Sequence, residues 1–208
     1  MSAKGPNPLR VAVTVIRSLL KRRPRPAGGG APPDTHDLSA VLEKLRNSGV
    51  GGLASVRHEI EAFLASSGAV DPDRLDRDEA LAFWLNLYNA GVLDLAARAA
   101  ESAVGSVLRV PGGFSKPFVE VSGERLSLSD VENGKIRRFK DPRIHGALVC
   151  GSASCPTLRY EPYTGATIDD QLDDQLRSFF AGGGVAVTGS PDTTVLLSRV
   201  LLGTATTS

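Results

Sequence analysis

Residues 77–100 read RDEALAFWLNLYNAGVLDLAARAA, and this stretch decides the fold. Its middle is apolar on every side, which predicts a buried central helix rather than a helix on the surface. Asn86 and Asn89 lie one turn apart within it, and buried side-chain amides must find hydrogen-bond partners. We therefore expect both amides to bond to the segment 141–156, which would pack across the central helix.

Helical and strand patterns flank the central helix on both sides. Apolar residues recur at helical spacing over 37–47 and again over 53–64, and glycines separate these two stretches. After the central helix, alternating apolar residues predict two β-hairpins, one over 118–128 and one over 185–197. The order of the elements predicts an α+β fold, in which N-terminal helices and a buried central helix pack on a small, mostly antiparallel sheet.

Between the two hairpins we expect a short helix, a buried strand and a last helix. Ser129 and Glu132 have the spacing of a capping box, which predicts a helix that begins there and stops at Asp141-Pro142. Residues 144–150, IHGALVC, form an apolar run of strand length. Thr167 stands where a side chain would cap the last helix.

The first 36 residues differ in composition from the rest of the chain. Residues 24–36, PRPAGGGAPPDTH, are rich in Pro and Gly and predict a flexible linker. We therefore expect 1–36 to be a disordered basic tail and linker that is dispensable for folding, and 37–208 to be a single α+β domain. The alternative for 9–25 is a basic amphipathic helix in peripheral contact with a membrane or a partner.

Composition argues against several classes of function. Hydrophobic residues are 41% of the chain and charged residues 23%, the balance of a soluble globular protein. A net charge of +1 gives no drive toward nucleic acid, and no run of eighteen apolar residues predicts a transmembrane segment. Two cysteines are too few for a disulfide scaffold. We expect a cytoplasmic protein with no cofactor and no nucleic-acid partner.

Residues 141–156, DPRIHGALVCGSASCP, hold both cysteines and the only histidine of the second half of the chain. A thiolate is a strong nucleophile at neutral pH, and an imidazole is its usual activator. This predicts Cys150 as the nucleophile and His145 as the base, with Asn86 or Asn89 as the orienting amide. The reaction class is then a thiol-dependent hydrolase or acyl transferase that acts on an unknown small-molecule or peptide substrate.

Several other interpretations of this segment stay open. His145 and Cys150 are five residues apart, which places them on opposite faces of a regular strand, and Cys155 is the other candidate nucleophile. The cysteines could instead be core residues of a non-catalytic interaction or scaffold module, or form a disulfide or redox pair. A metal site with His145, Cys150, Cys155 and Asp141 as ligands is the weakest interpretation, because the close pairing of zinc ligands is absent, and we predict no metal.

Three stretches together resemble the domain-of-unknown-function 547 family: AFWLNLYNA (82–90), LSLSDVENGKIRR (126–138) and DPRIHGALVCGSASCP (141–156). The resemblance covers roughly residues 75–180. It implies a family that is widespread in bacteria, that occurs in plants behind coiled-coil segments of ternary-complex-factor-like proteins, and that has no assigned reaction. The matched motif positions are Trp84, Asn86, Tyr88, Asn89, His145, Cys150, Cys155 and Pro156.

The chain departs from the pattern of that family in three places. Relatives often carry an aromatic residue after the motif histidine, where this chain has Gly146. They often have a histidine in the short helix after the first hairpin, where this chain has Asn133. They usually continue with an aromatic and acidic segment, whereas this chain ends in LLSRVLLGTATTS (196–208), which predicts a truncated or divergent end with an open sheet edge.

Overall fold

A computed structural model describes residues 8–102, 104, 106–151, 155–188 and 194–197 of the chain. The helices of these residues are α1 (Pro8–Leu19), α2 (His36–Ser48), α3 (Arg57–Ser67), α4 (Arg77–Glu101), α5 (Ile144–Ala147) and α6 (Ile168–Phe179). The strands are β1 (Pro117–Val121), β2 (Glu124–Ser127), β3 (Val185–Thr188) and β4 (Thr194–Leu197). Shorter 3-10 and π-helical turns connect them.

Helix α4 is the buried central helix that the sequence predicts. Asp76 closes its amino end, because the Oδ1 of this residue accepts the backbone N–H groups of Asp78 and Glu79 at 3.0 and 2.8 Å. Every residue from 80 to 95 is buried, on all sides of the helix. By length and composition α4 could cross a membrane, but 94% of its most apolar 18-residue window is buried inside the protein. It is therefore the core of the fold.

Two amphipathic helices, α2 and α3, cover one side of the core. Both predicted helices are confirmed, and a 3-10 helix over Gly49–Val56 joins them. In each helix the apolar residues recur every three or four positions and form one stripe that faces the core. The buried apolar residues of the pair are Leu38, Val41, Leu42, Leu45, Ile60, Phe63 and Leu64.

The four strands pair as two antiparallel hairpins, β1 with β2 and β3 with β4. Ser122 and Gly123 turn the first hairpin with φ of 49° and 75°, the positive values that a tight hairpin turn of this kind requires. The α+β class is thereby confirmed, with its strands in two separate sheets of two strands. The prediction of a truncated or divergent end concerns 196–208, of which 198–208 lie outside the described residues.

The capping box predicted at Ser129 and Glu132 is wrong, because the Ser129 side chain makes no cap bond. The reciprocal pair lies two residues earlier. The Ser127 N–H donates to Asp130 Oδ2 at 3.0 Å, and the Asp130 N–H donates to Ser127 Oγ at 3.1 Å. Thr167 also differs from the prediction, since its side chain makes no bond to the first turn of α6.

The buried strand predicted over 144–150 is also wrong, because its first half is helix α5. Asp141 Oδ1 accepts the N–H of Arg143 at 2.9 Å, and this bond holds the turn that comes directly before α5. Gly146 then lies against the backbone of α6, where a Cβ would come within 2.8 Å of Leu176 Cα. The same apolar run fits a strand or a buried helical turn, and contact with α6 selects the turn.

The N-terminal segment is helical over Pro8–Leu19, where composition predicts a disordered tail. It also contacts the domain: Arg138 Nη2 donates to the Leu19 carbonyl at 2.9 Å, and Lys21 Nζ donates to the Arg125 carbonyl at 3.0 Å. The domain boundary at Asp37 and the dispensability of 1–36 for folding stay predictions.

Candidate functional site

Asn89 of α4 holds the segment that runs from α5 to the first cysteine. Its Nδ2 donates to the Ala147 carbonyl at 3.1 Å, and its Oδ1 accepts the Val149 N–H at 3.2 Å. The Asn89 amide thus donates one hydrogen bond to the backbone and accepts one from it, as the peptide groups of a neighbouring strand would. The prediction that this amide is buried and bonded to 141–156 is confirmed.

Asn86, one turn earlier on α4, makes the same two-point pairing with another segment. Its Nδ2 donates to the Tyr163 carbonyl and its Oδ1 accepts the Tyr163 N–H, both at 2.8 Å. Burial of this amide is as predicted, but a partner within 141–156 is wrong. The two asparagines therefore fasten two different chain segments to the central helix.

The two cysteines are joined in a disulfide, with their Cα atoms 6.0 Å apart. Both residues are half-buried, and the N–H of Cys150 donates to Cys155 Sγ at 3.0 Å. The prediction of a free Cys150 thiol does not hold in this state, because a disulfide sulfur carries no proton to lose. Of the open interpretations of this pair, the structure contains the disulfide.

His145 is buried on α5, with 4% of its surface exposed. Its Nε2 has no hydrogen-bond partner among the described residues, so this nitrogen is not paired there with either cysteine. Burial lowers the pKa of His145 below its ordinary value, and the positive charge of Arg137 lowers it further, against a smaller opposite effect of Glu132. The ring is therefore neutral near pH 7.

A buried tyrosine and an ion pair stand beside this histidine. Tyr88 donates its hydroxyl proton to Glu132 Oε2 at 3.3 Å, and Arg137 Nη2 donates to Glu132 Oε1 at 2.8 Å. Burial raises the pKa of Tyr88 well above 10, and the Glu132 charge adds to this, so the phenol stays protonated. Sequence reasoning missed Glu132 because it assigned that carboxylate to a cap. The signal was available, since a tyrosine on a wholly buried helix needs a hydroxyl partner.

The lowered pKa of His145 predicts how stability depends on pH. The unfolded chain takes up a proton on this ring near pH 6.5, whereas the folded protein resists it, so stability is lost as pH falls through about 6.5 toward the folded pKa. His145→Gln should therefore flatten the fall in unfolding free energy between about pH 7.5 and 5. Urea denaturation at several pH values measures it, with His58→Gln at an exposed position as the control. An unchanged slope in His145→Gln would contradict the prediction.

A family model with the description "Protein of unknown function, DUF547" matches residues 72–180, more than half of the chain. The chain belongs to this family. The DUF547 match contains α4, both strands of the first hairpin, α5 and all of α6. No curated protein and no solved structure matches the chain.

All five predicted site residues lie within the DUF547 region: Asn86, Asn89, His145, Cys150 and Cys155. The two asparagines hold neighbouring segments, the cysteines bond to each other, and the histidine lies close enough to Glu132 and Arg137 for their charges to act on it. Across the described ranges, no cluster of three or more His, Cys, Asp or Glu residues is placed to hold a metal ion.

The arginine of the DUF547 motif segment fixes α5 on α6. Arg143 pairs with Asp141 at 2.7 Å and, across to α6, with Asp169 at 2.6 Å and Asp173 at 3.0 Å. These hydrogen-bonded carboxylates raise the pKa of the Arg143 guanidinium, which remains charged. The arrangement orients the short helix that carries His145.

Proposed function

We propose that Cys150 and Cys155 are the reactive centre of this domain and that its thiol chemistry begins with reduction of their disulfide. The observation that carries this proposal is the half-buried bridge itself, across a separation of five residues in the family's motif segment. Closing so short a loop contributes only about 2 kcal/mol to stability, toward the lower end for disulfides. In the cytoplasm, where we place the protein, persistent disulfides are rare and those that form are usually catalytic or sensing.

The first step needs a dithiol reductant. One of its thiolates attacks a cysteine sulfur, the Cys150–Cys155 bond breaks, and a mixed disulfide forms. The second thiolate of the reductant then attacks this mixed disulfide and leaves as the oxidised cyclic product. The two electrons and two protons of the dithiol end on the protein as two thiols.

Cys155 Sγ is the proposed reactive thiolate. It accepts the backbone N–H of Cys150 at 3.0 Å, and a hydrogen bond to the charged form of a group stabilises that form. We therefore assign the nucleophile to Cys155, and Cys150 is the cysteine that forms the disulfide with it. The sequence had led us to expect Cys150 as the nucleophile.

The reduced pair supports acyl chemistry, as a hydrolase or an acyl transferase on a small-molecule or peptide substrate. The thiolate attacks an acyl carbon, the leaving group departs with a proton, and the thioester is then cleaved by water or by a second acceptor. His145 is the proposed base, since its neutral ring has an unpartnered Nε2 within the described chain. Asn89 is a positioning residue, because it holds the backbone just before Cys150.

One observation favours a non-catalytic interaction module as the second candidate. His145 is only 4% exposed, so a substrate atom reaches its ring only if the segments around α5 move. In such a module the disulfide would make the binding surface more rigid. The buried His145, Tyr88, Glu132 and Arg137 would then only stabilise the fold.

Thiol labelling of the folded protein separates the two candidates. We expect iodoacetamide to label neither cysteine before treatment with dithiothreitol, and to label Cys155 faster than Cys150 afterwards, with a midpoint below about pH 8.5. Cys155→Ser should abolish the fast phase and hydrolysis across a panel of acyl thioesters, whereas Cys150→Ser should keep the fast phase. Equal, slow labelling of both reduced thiols would support the interaction module. Labelling without reductant would contradict the bridge.

A further inference from the structure

Helix α1 turns its polar face toward the protein. Ser18 is fully buried, and its Oγ donates to the Thr14 carbonyl at 2.9 Å and lies 3.4 Å from Ser129 Oγ. Gly134 permits this close approach, because a Cβ there would come within 2.6 Å of the Ser18 carbonyl oxygen. Small and hydroxyl-bearing residues thus form the closest approach between this part of α1 and the domain.

The opposite face of α1 is apolar and points into solvent. Leu9, Val13, Ile16 and Leu20 are spaced by four, three and four residues, so they form one stripe along the helix. Their exposed fractions are 71%, 49%, 57% and 81%. Among the described residues, four of the six exposed large hydrophobic side chains lie in this stripe, so the exposure is concentrated here. A surface helix ordinarily buries such a stripe.

The segment that carries the exposed stripe is basic, and the rest of the chain is acidic. Residues 1–33 contain no Asp or Glu and seven basic residues: Lys4, Arg10, Arg17, Lys21, Arg22, Arg23 and Arg25. Since the chain has 24 basic and 23 acidic residues, residues 34–208 hold 17 basic and 23 acidic ones, a formal charge of −6. The overall charge of +1 hides this separation, which would orient the protein on an anionic surface.

A cavity of about 360 Å³ opens between α1 and the first hairpin, next to Leu20. Arg17, Lys21 and Arg125 contribute three cations to its lining, and Asp130 contributes one carboxylate. That carboxylate already accepts hydrogen bonds from Ser127. The cavity therefore offers a net positive recess beside the apolar stripe.

We propose that α1 anchors this protein on the surface of an anionic lipid bilayer. The stripe of Leu9, Val13, Ile16 and Leu20 lies among the acyl chains, and the exposed Arg17 and Arg23 contact the headgroups. A protein partner that bound α1 would need a groove with an apolar floor and acidic residues along both edges. A bilayer with anionic lipid has an apolar interior and a negatively charged surface everywhere. Its negative charge also repels the acidic remainder of the chain.

Co-sedimentation of the full chain with vesicles tests this anchor. We expect binding to vesicles of phosphatidylcholine mixed with phosphatidylserine, little binding to phosphatidylcholine alone, and loss of binding at high salt. Ile16→Ser with Leu20→Ser should weaken binding by about tenfold or more, since both side chains leave the acyl region. Arg17→Gln with Arg23→Gln should weaken it on mixed vesicles only.

The control is Leu108→Ser, which removes a side chain of similar exposure outside the stripe and should bind vesicles as the unchanged protein does. Thermal melting of each variant verifies that the exposed substitutions leave the fold intact. Failure of the unchanged chain to bind mixed vesicles would overturn the proposal. So would a dimer in solution that the Ile16→Ser, Leu20→Ser variant dissociates, because the stripe would then face a second copy.

Discussion

Replacing Gly146 by alanine is expected to lower the free energy of unfolding by about 3 kcal/mol. The added Cβ would lie 2.8 Å from Leu176 Cα and 3.0 Å from the Leu176 backbone nitrogen. Both atoms belong to the backbone of α6, which cannot rotate away as a side chain would, so α5 and α6 must separate. Urea denaturation measures the loss. An aromatic residue at this position should prevent the native packing of this chain.

Gly51→Ala is the matched control for this change. An added Cβ at that position meets nothing within 4 Å, so the unfolding free energy should remain within about 0.5 kcal/mol. Equal stability of Gly146→Ala and the unchanged protein would show that α5 and α6 do not approach so closely. The steric requirement for a glycine after the motif histidine would then disappear as well.

Replacing Asn86 by leucine should cost about 2–4 kcal/mol, because it leaves two buried groups without partners. These are the carbonyl and the N–H of Tyr163, which both bond to the Asn86 amide at 2.8 Å. Leucine has the same number and branching of side-chain heavy atoms as asparagine, so the substitution leaves no cavity and removes the hydrogen bonds. The Asn89→Leu variant should lose less, since its partner Val149 is only half-buried.

Asn47→Leu makes the same chemical change at an exposed position of α2 and should be nearly neutral. Denaturant titration of the three variants gives the comparison. If Asn86→Leu were as stable as Asn47→Leu, the amide would not fasten the 163 segment to α4. The thiol-labelling pattern of Asn86→Leu should match that of the unchanged protein, whereas Asn89→Leu should alter it, because only Asn89 holds the backbone beside Cys150.

Local patterns predict most of the elements because each pattern reflects burial of a single element. The uniform apolarity of residues 80–95 requires burial on all sides, which only a central helix satisfies. The hairpin turn at Ser122-Gly123 follows from positive backbone φ, a property of two residues. The run 144–150 is different, because a short apolar run has no period that separates strand from helix. There the Asp141-Pro142 pair fits the end of the preceding helix, although it also belongs to the turn before α5.

The sequence predicted which residues belong to the candidate site, but it did not predict which residues bond to one another. Buried Asn86 and Asn89 had to find partners, but their spacing of one turn says only that they share a face of α4. Which segment meets which amide depends on how the chain returns across the helix. Glu132 illustrates the same limit, since its spacing from Ser129 fits a cap while its observed partners are Tyr88 and Arg137, 44 and 5 residues away.

The sequence by itself determined the central helix, its two amides, the clustered cysteines and the family, since each of these depends on residue type and short-range order. Only the tertiary structure decided that Cys150 and Cys155 are bonded, that His145 Nε2 has no partner in the described chain, and that α1 faces the protein with its polar side. The physical reason is that each of these features depends on contacts between segments that are far apart in the sequence. The hydrophobic periodicity of a segment predicts which of its residues are buried, but it does not predict which other segment packs against them.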